Sequence, residues 1–337
     1  EPRVPPVSCR SYPCIKPMPL TKSNANRLVA DMGGTNTRIA LFDPLANELR
    51  SLSHYINRDY AQPEDIIAAW LNALREPRPT ACCLAVAAPP FDDRVTMLNI
   101  DWSFSCREMA ERFEFSALRC INDFEANAHA LPHLADHDLT TLHCGKRSAS
   151  GKLATIGAGT GLGGATLTLT EGAPITGASE PGYMGLAAAT DVELELFRYL
   201  LKQYGEIYAE LLLSGPGLQR LYQSLADIQG QNAPPLAPEA ISARALTGQC
   251  ELCTLTLNTF CALLGSISGD YVLANGAYGG LYLAGGFLPD MIPFLQNSTF
   301  VQRFQNKGKM RDHLADVPLY SISSAVTGLL GAAHAPL

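Results

Sequence analysis

Apolar residues gather first at Arg27–Asp31, stop at a Gly-Gly-Thr-Asn turn within Met32–Asn36, and resume among polar positions over Thr37–Phe42. Two short runs around a glycine turn predict a β-hairpin. A further strand is expected at Leu52–Asn57. Apolar residues at helical spacing then predict a helix over Glu64–Leu74. The continuous apolar run Ala81–Ala88 reads as a strand covered on both faces. Ser105, with Glu108 three residues on, forms the capping-box pattern that opens a helix reaching Phe113. Ala117–Asn122 reads as a strand that passes through Asp123 into a helix, Phe124–Leu134.

The opening pattern then recurs. Leu153–Gly157 is a predicted strand, Ala158–Gly164 a glycine-rich turn, and Ala165–Thr170 a Thr- and Leu-rich strand. One strand–turn–strand unit used at Val29–Phe42 and again at Ala154–Leu169 implies two similar lobes facing each other. Helices are predicted at Val192–Tyr204, Gly217–Asp227, Ser242–Gly248 and from Glu251 to Ala274. The strand Gly280–Ala284, the pair Gly285-Gly286 and a terminal strand and helix over Pro318–Ala335 follow. The class is α/β, and 337 residues suit two domains sharing a cleft.

Charge narrows the partners. The chain carries 25 Lys plus Arg against 32 Asp plus Glu, a net charge of −7, which argues against a basic face that tracks nucleic acid. Any polyphosphate must then be held by local amides and a cation. No apolar run of about eighteen residues suggests a bilayer span, and no membrane partner is expected. The ten cysteines are scattered through a chain large enough to build a core, so thiols are expected rather than a disulfide framework. Cys250-Glu-Leu-Cys253 has no second pair to complete a zinc site, and its surroundings, Ala243–Gly265, read as helix. Residues 1–25 hold six prolines, and Met18 precedes a polar lead-in to the first strand. They are expected to be disordered, either vector-derived or preceding the natural start; a targeting extension is the alternative.

The chemistry-bearing residues sit at the turns. Gly159-Thr-Gly-Leu-Gly-Gly164 satisfies G-x-G-x-x-G, but the next residues favour a strand where a dinucleotide fingerprint needs a helix. No Walker motif is present. What remains is a tight hairpin whose glycines (Gly157, Gly159, Gly161) turn backbone N–H groups onto an anion, with the Thr160 hydroxyl as a further donor. In the first half, Asp31 stands before Gly33, Gly34, Thr35 and Asn36. An acid beside exposed amides suits hydrated Mg2+ at a transferring phosphate, although Asp also serves as a plain turn cap. Gly285 and Gly286 would admit a flat ring close to the backbone, or simply let the strand exit. Asp123 suits a helix N-cap as well as a catalytic base.

Taken together and in order, Asp31–Asn36, Ile121-Asn-Asp-Phe124, Gly157–Gly163, Leu213-Ser-Gly-Pro-Gly217 and Leu283-Ala-Gly-Gly286 make the chain resemble the bacterial glucokinases. The resemblance runs from about Arg27 to the C-terminus and is to the non-ROK group of the hexokinase, actin and Hsp70 superfamily. The Cys-rich zinc motif of ROK proteins is absent. It implies a two-domain, actin-like (ribonuclease H-like) α/β fold with a ligand cleft. The expected domains are 26–132 plus 318–337 (small) and 133–317 (large). It also implies a cytoplasmic homodimer that uses ATP and Mg2+ to phosphorylate glucose at the entry to glycolysis.

By the same resemblance Asn122 and Asp123 bind the sugar, with Asp123 the general base on the 6-hydroxyl, and Asn99, Glu180 and Glu210 contact sugar hydroxyls. Tyr183 stands where many members carry a sugar-binding histidine. That departure leaves open a different hexose, or a sensor that has lost turnover.

Overall fold

The computed structural model describes residues 26–88, 93–97, 100–146, 151–286 and 288–337. The expectations for residues 1–25 and for Asn99 lie outside the described residues.

The first sheet has strand order β3-β2-β1-β4-β7. It comprises β1 (Arg27–Met32), β2 (Asn36–Asp43), β3 (Glu48–Ile56), β4 (Ala81–Val86) and β7 (Ala117–Asn122). A small hairpin, β5 (Arg94–Thr96) and β6 (Ser103–Ser105), stands apart. The second sheet has order β11-β10-β9-β12-β13-β8. It comprises β8 (Leu139–His143), β9 (Lys152–Ala158), β10 (Leu162–Thr168), β11 (Ile175–Ser179), β12 (Leu281–Ala284) and β13 (Leu319–Ile322).

The duplicated unit is real at the level of topology. In each sheet a three-stranded antiparallel meander is extended by parallel strands: β1 pairs with β4 and β4 with β7, while β9 pairs with β12 and β12 with β13. Every residue of β4 is buried, as its unbroken apolar run requires of a central parallel strand.

Three packing layers hold the sheets. The helices Pro63–Ala73 and Cys106–Phe113 cover one face of the first sheet, with Trp70 and Met109 in the core. The helices Asp123–Ala130 and Thr327–His334 cover the other. Asp123–Ala130 also packs on the second sheet, with Ala128 beside Ala165 and Leu167, so one helix is shared by both sheets. The largest core surrounds Glu251–Asn275, seventeen of whose residues are buried. This helix is long and apolar enough to cross a membrane, contrary to the reading of the sequence. Its most apolar window is 83% buried inside the fold, and a core helix has the same composition for the same reason.

Several boundaries differ from expectation. The helices expected at Ser242–Gly248 and from Glu251 form, as Pro238–Leu246 and Glu251–Asn275, so Ala243–Gly265 is not one helix: Gly248 adopts φ +66° and Cys250 N-caps the second. The strand Leu319–Ile322 lies in the second sheet, paired with β12 and β8. The return to the first sheet therefore begins after Ile322, and only the final helix belongs there. The strands β5, β6, β8 and β11 carry too few apolar positions to show a period. Cys82, Cys83, Cys106, Cys120, Cys250, Cys253 and Cys261 are free thiols.

Candidate active site

Parallel strands place their carboxyl ends on one edge, where ligands of open α/β sheets bind. Register aligns Asp31 with Ala85 and Val86 with Asn122, so Asp31, Ala87 and Asn122 emerge together from the first sheet. In the second sheet Gly157 aligns with Ala284, which brings the turn after β9 beside Gly285. The two edges bound a cleft of about 340 Å³ lined by Asp31, Gly33, Gly34, Asn122, Asp123, Gly159, Thr160, Gly161, Glu180, Glu210 and Gly285.

The first turn closes with the Gly33 amide donating to the Asn36 carbonyl at 3.0 Å. Asn57, fully buried, clasps it: its Nδ2 donates to the Gly33 carbonyl at 2.7 Å, its Oδ1 accepts from Thr37 Oγ1 at 2.8 Å, and its amide donates to the Thr35 carbonyl at 2.9 Å. Nothing in the local sequence around Asn57 signals this role. Thr35 and Asn36 carry the turn but do not line the cleft.

The second turn is shorter than expected. It spans only 159–161, and Leu162 already belongs to β10. The Gly159 amide donates to the Gly161 carbonyl, and the Gly215 amide at the start of helix Gly215–Ile228 donates to the Gly159 carbonyl, both at 2.8 Å. That helix is capped by Ser214 Oγ, which accepts from the Gly217 amide. Gly163 leaves room for the Phe124 ring and Gly157 for the Ala284 carbonyl. Gly157 is therefore buried packing space, outside the cleft lining, and Gly286 also lies outside it.

Asn122, not Asp123, is the helix N-cap. Its Oδ1 accepts from the Phe124 and Glu125 amides at 2.9 and 3.3 Å, which leaves its Nδ2 to donate to a ligand. Asp123 is the first residue of the helix and lines the cleft. Burial pushes its carboxyl up to about 7, the Asp31 charge and then Glu180 add to the rise, and the Phe124 amide opposes it.

Asp31 is itself raised by burial, offset by Arg38, whose guanidinium lies 3.8 Å away. A cleft-facing carboxylate with one distant cationic neighbour suits a hydrated divalent cation that also touches phosphate. Among the described residues no cluster of three His, Cys, Asp or Glu side chains forms a protein-only metal cage.

Glu180 is raised by burial and by the nearby charge of Glu210. Glu210 Oε2 accepts the Leu162 amide at 2.8 Å. Tyr183 stands outside the cleft lining. It is 64% exposed and stacks on Tyr208 with ring centroids 5.6 Å apart. Asn127 and Ser179 line the cleft without having been singled out from the sequence. The helical spacing from Asp123 to Asn127 could have found the first.

A family model described as glucokinase matches residues 28–336. A glucokinase of Saccharophagus degradans is 37% identical over 309 residues, 91% of this chain and 96% of that protein. A crystal structure of a glucokinase from an Antarctic psychrotroph superposes with a TM-score of 0.84 at 38% identity, covering 92% of this chain and 98% of the other. A ROK family glucokinase from Streptomyces griseus, solved with glucose and AMPPNP, shares the fold at 19% identity and a TM-score of 0.63, over 91% of this chain and 98% of the other. The architecture is thus the two-domain α/β fold of sugar kinases.

Proposed function

Because the chain belongs to the glucokinase family, we propose that it transfers the γ-phosphoryl group of ATP to the 6-hydroxyl of glucose, with Asp123 as general base. The observation that carries this reading is the meeting of two glycine turns, one from each sheet, with Asp123, Glu180 and Glu210 in one cleft. The turns suit a polyphosphate, and the polar side chains suit a neutral polyol. Two carboxylates, Glu180 and Glu210, would repel an anionic acceptor.

Phosphoryl transfer has a loose transition state, so catalysis rests on alignment and charge stabilisation more than on covalent chemistry. The amides of Gly33, Gly34 and the 159–161 turn would hold the phosphates. Asp31 would hold Mg2+ through water, and the cation when bound supplies charge neutralisation there. Asn122 Nδ2 and the Glu180 and Glu210 carboxylates would hold sugar hydroxyls. Asp123 would orient the 6-hydroxyl and take its proton, help typically worth about 10²–10⁴-fold. Thr35, Asn36 and Thr160 would brace the phosphate turns, with Gly285 and Gly286 beside the nucleotide ring. Asn99 would add a sugar contact, and Tyr183 would act at the rim of the site.

The reading extends to a cytoplasmic homodimer at the entry to glycolysis, with the small domain (26–132 plus the final helix) and the large domain (133–322) closing over both substrates to exclude water. An ADP-release assay with ATP and Mg2+ over a panel of hexoses tests it. Turnover is expected with glucose above other hexoses. Absence of turnover with every hexose would refute it. Scattering profiles recorded with and without glucose test closure, which predicts a smaller radius with sugar.

A further inference from the structure

A carboxylate links the helix that begins at Asp123 to the strand that ends before Glu180. Glu125, with a side chain only 14% exposed, offers Oε1 to two donors: Arg119 Nη2 on β7 at 2.8 Å and Thr176 Oγ1 on β11 at 2.9 Å. Arg119 is held in turn by its Nη1, which donates to the Pro336 carbonyl at 2.8 Å. His129, four residues along the helix, brings Nε2 within 3.5 Å of Thr176 Oγ1. Its imidazole is pushed down to about 4 by burial and then by Arg119, so it is neutral and leaves the carboxylate to Arg119 and Thr176.

The strand in question is an edge strand. β11 pairs on one side only, with β10. Its far end is tied into the second lobe, where Ser179 Oγ meets the Tyr271 hydroxyl at 2.6 Å and the Gly164 carbonyl at 3.2 Å. Those bonds fix Glu180 relative to its own sheet but not relative to Asp123. The Phe124 ring lying on Gly163 adds contact between the elements, yet apolar contact is non-directional and tolerates sliding. Glu125–Thr176 is directional and charge-assisted, and it lies two residues from Asp123 and four from Glu180.

We infer that Glu125 is a positioning residue for phosphoryl transfer, a clasp between β7 and β11 that sets the separation of Asp123 from Glu180. The inference rests on the reading that these two residues face the sugar from either side. A hexose bound to Glu180 must present its 6-hydroxyl to Asp123, so error in that separation acts on the transferring oxygen. Misplacement by about 1 Å can cost on the order of 10²-fold in rate. The phosphate turns do not depend on the clasp.

The test compares Glu125→Leu, Thr176→Val, their double variant and Glu125→Gln in the full chain. The readouts are kcat and KM for glucose, KM for ATP with Mg2+, and Tm. Thr176→Val removes one hydroxyl near the surface and changes no charge, so it keeps the test valid if Glu125→Leu folds poorly. Glu125→Leu and Thr176→Val are each expected to lower kcat/KM for glucose by about tenfold or more while KM for ATP stays at the wild-type value. The double variant should be no worse than the poorer single one, and Glu125→Gln, which keeps an acceptor oxygen, should recover most of the loss.

Wild-type kcat/KM for glucose in Thr176→Val would overturn the inference. So would losses that multiply in the double variant, or an equal rise in KM for ATP. Asp123→Asn run alongside separates the two levels: an inactive Asp123→Asn with wild-type clasp variants sinks only the clasp, whereas an active Asp123→Asn sinks the reading beneath it.

Discussion

The backbone amide of Leu162 donates to Oε2 of Glu210 across 2.8 Å, joining the strand that leaves the second glycine turn to a carboxylate that faces the proposed sugar. The same oxygen packs against Gly161, where a Cβ would strike it. The proposed phosphate turn and the proposed sugar site therefore share an atom. Glu210→Ala is expected to raise KM for ATP as well as for glucose, each by about tenfold, the scale of losing a hydrogen bond to a charged group. Initial-rate kinetics with each substrate varied check this; a change confined to glucose would separate the two sites.

Asp123 must be ionised to accept a proton, and its carboxyl is pushed up to about 7 by burial, Asp31 and Glu180. The profile of kcat/KM for glucose, which reports the free enzyme, should therefore rise with pH through about 7 and level off above. A limb near the ordinary carboxylate value of 3.8 would mean that the Asp123 carboxyl is not raised in the free enzyme.

The same shift has a cost in stability. The folded state keeps the Asp123 proton up to about 7, whereas the unfolded chain releases it near 3.8. Folded protein therefore binds more protons between those values, and stability falls as pH rises through that window. Asp123→Asn removes the titration. It should abolish turnover, leave sugar affinity nearly intact, and gain on the order of 1 kcal/mol or more over wild type at about pH 8, with no gain near pH 4. Thermal melts of both proteins across pH provide the measurement.

Far from the cleft, Arg303 forms a buried bidentate pair with Glu193, whose side chains are 9% and 2% exposed. Arg303→Ala would strand a buried carboxylate and should cost about 3–5 kcal/mol. Denaturant unfolding reads the loss, and kcat/KM at low temperature should stay at the wild-type value.

Much of the fold was legible because its signals are local. The unbroken apolar run of β4, the glycine turns after β1 and β9, and the Ser105 cap, whose Oγ accepts the Glu108 amide at 3.1 Å, each depend on neighbours within a few residues. The candidate site was legible to the extent that it sits on those turns and at the Asn-Asp junction after β7. Tyr183 shows the limit. Its place in the chain suggested a sugar ligand, but a side chain stacked on Tyr208 and directed to solvent cannot be distinguished in sequence from one turned inward.

By itself, then, the sequence determined the main helices, the strands with a clear apolar run, and that the strand–turn–strand unit is used twice, because periodicity and turn chemistry act over one or two turns of backbone; the short strands β5, β6, β8 and β11 were not among them. Only the tertiary structure decided which distant groups meet. It brought Glu210 onto an amide 48 residues away, clasped the first glycine turn with Asn57, and moved the Asn122 side chain into the cap so that Asp123 faces the cleft. It also placed Leu319–Ile322 in the second sheet and the following helix on the first. The reason is physical: burial, hydrogen-bond partners and the field of neighbouring charges are properties of the packed chain, and the raised carboxyl of Asp123 exists only where Asp31 and Glu180 have been brought beside it.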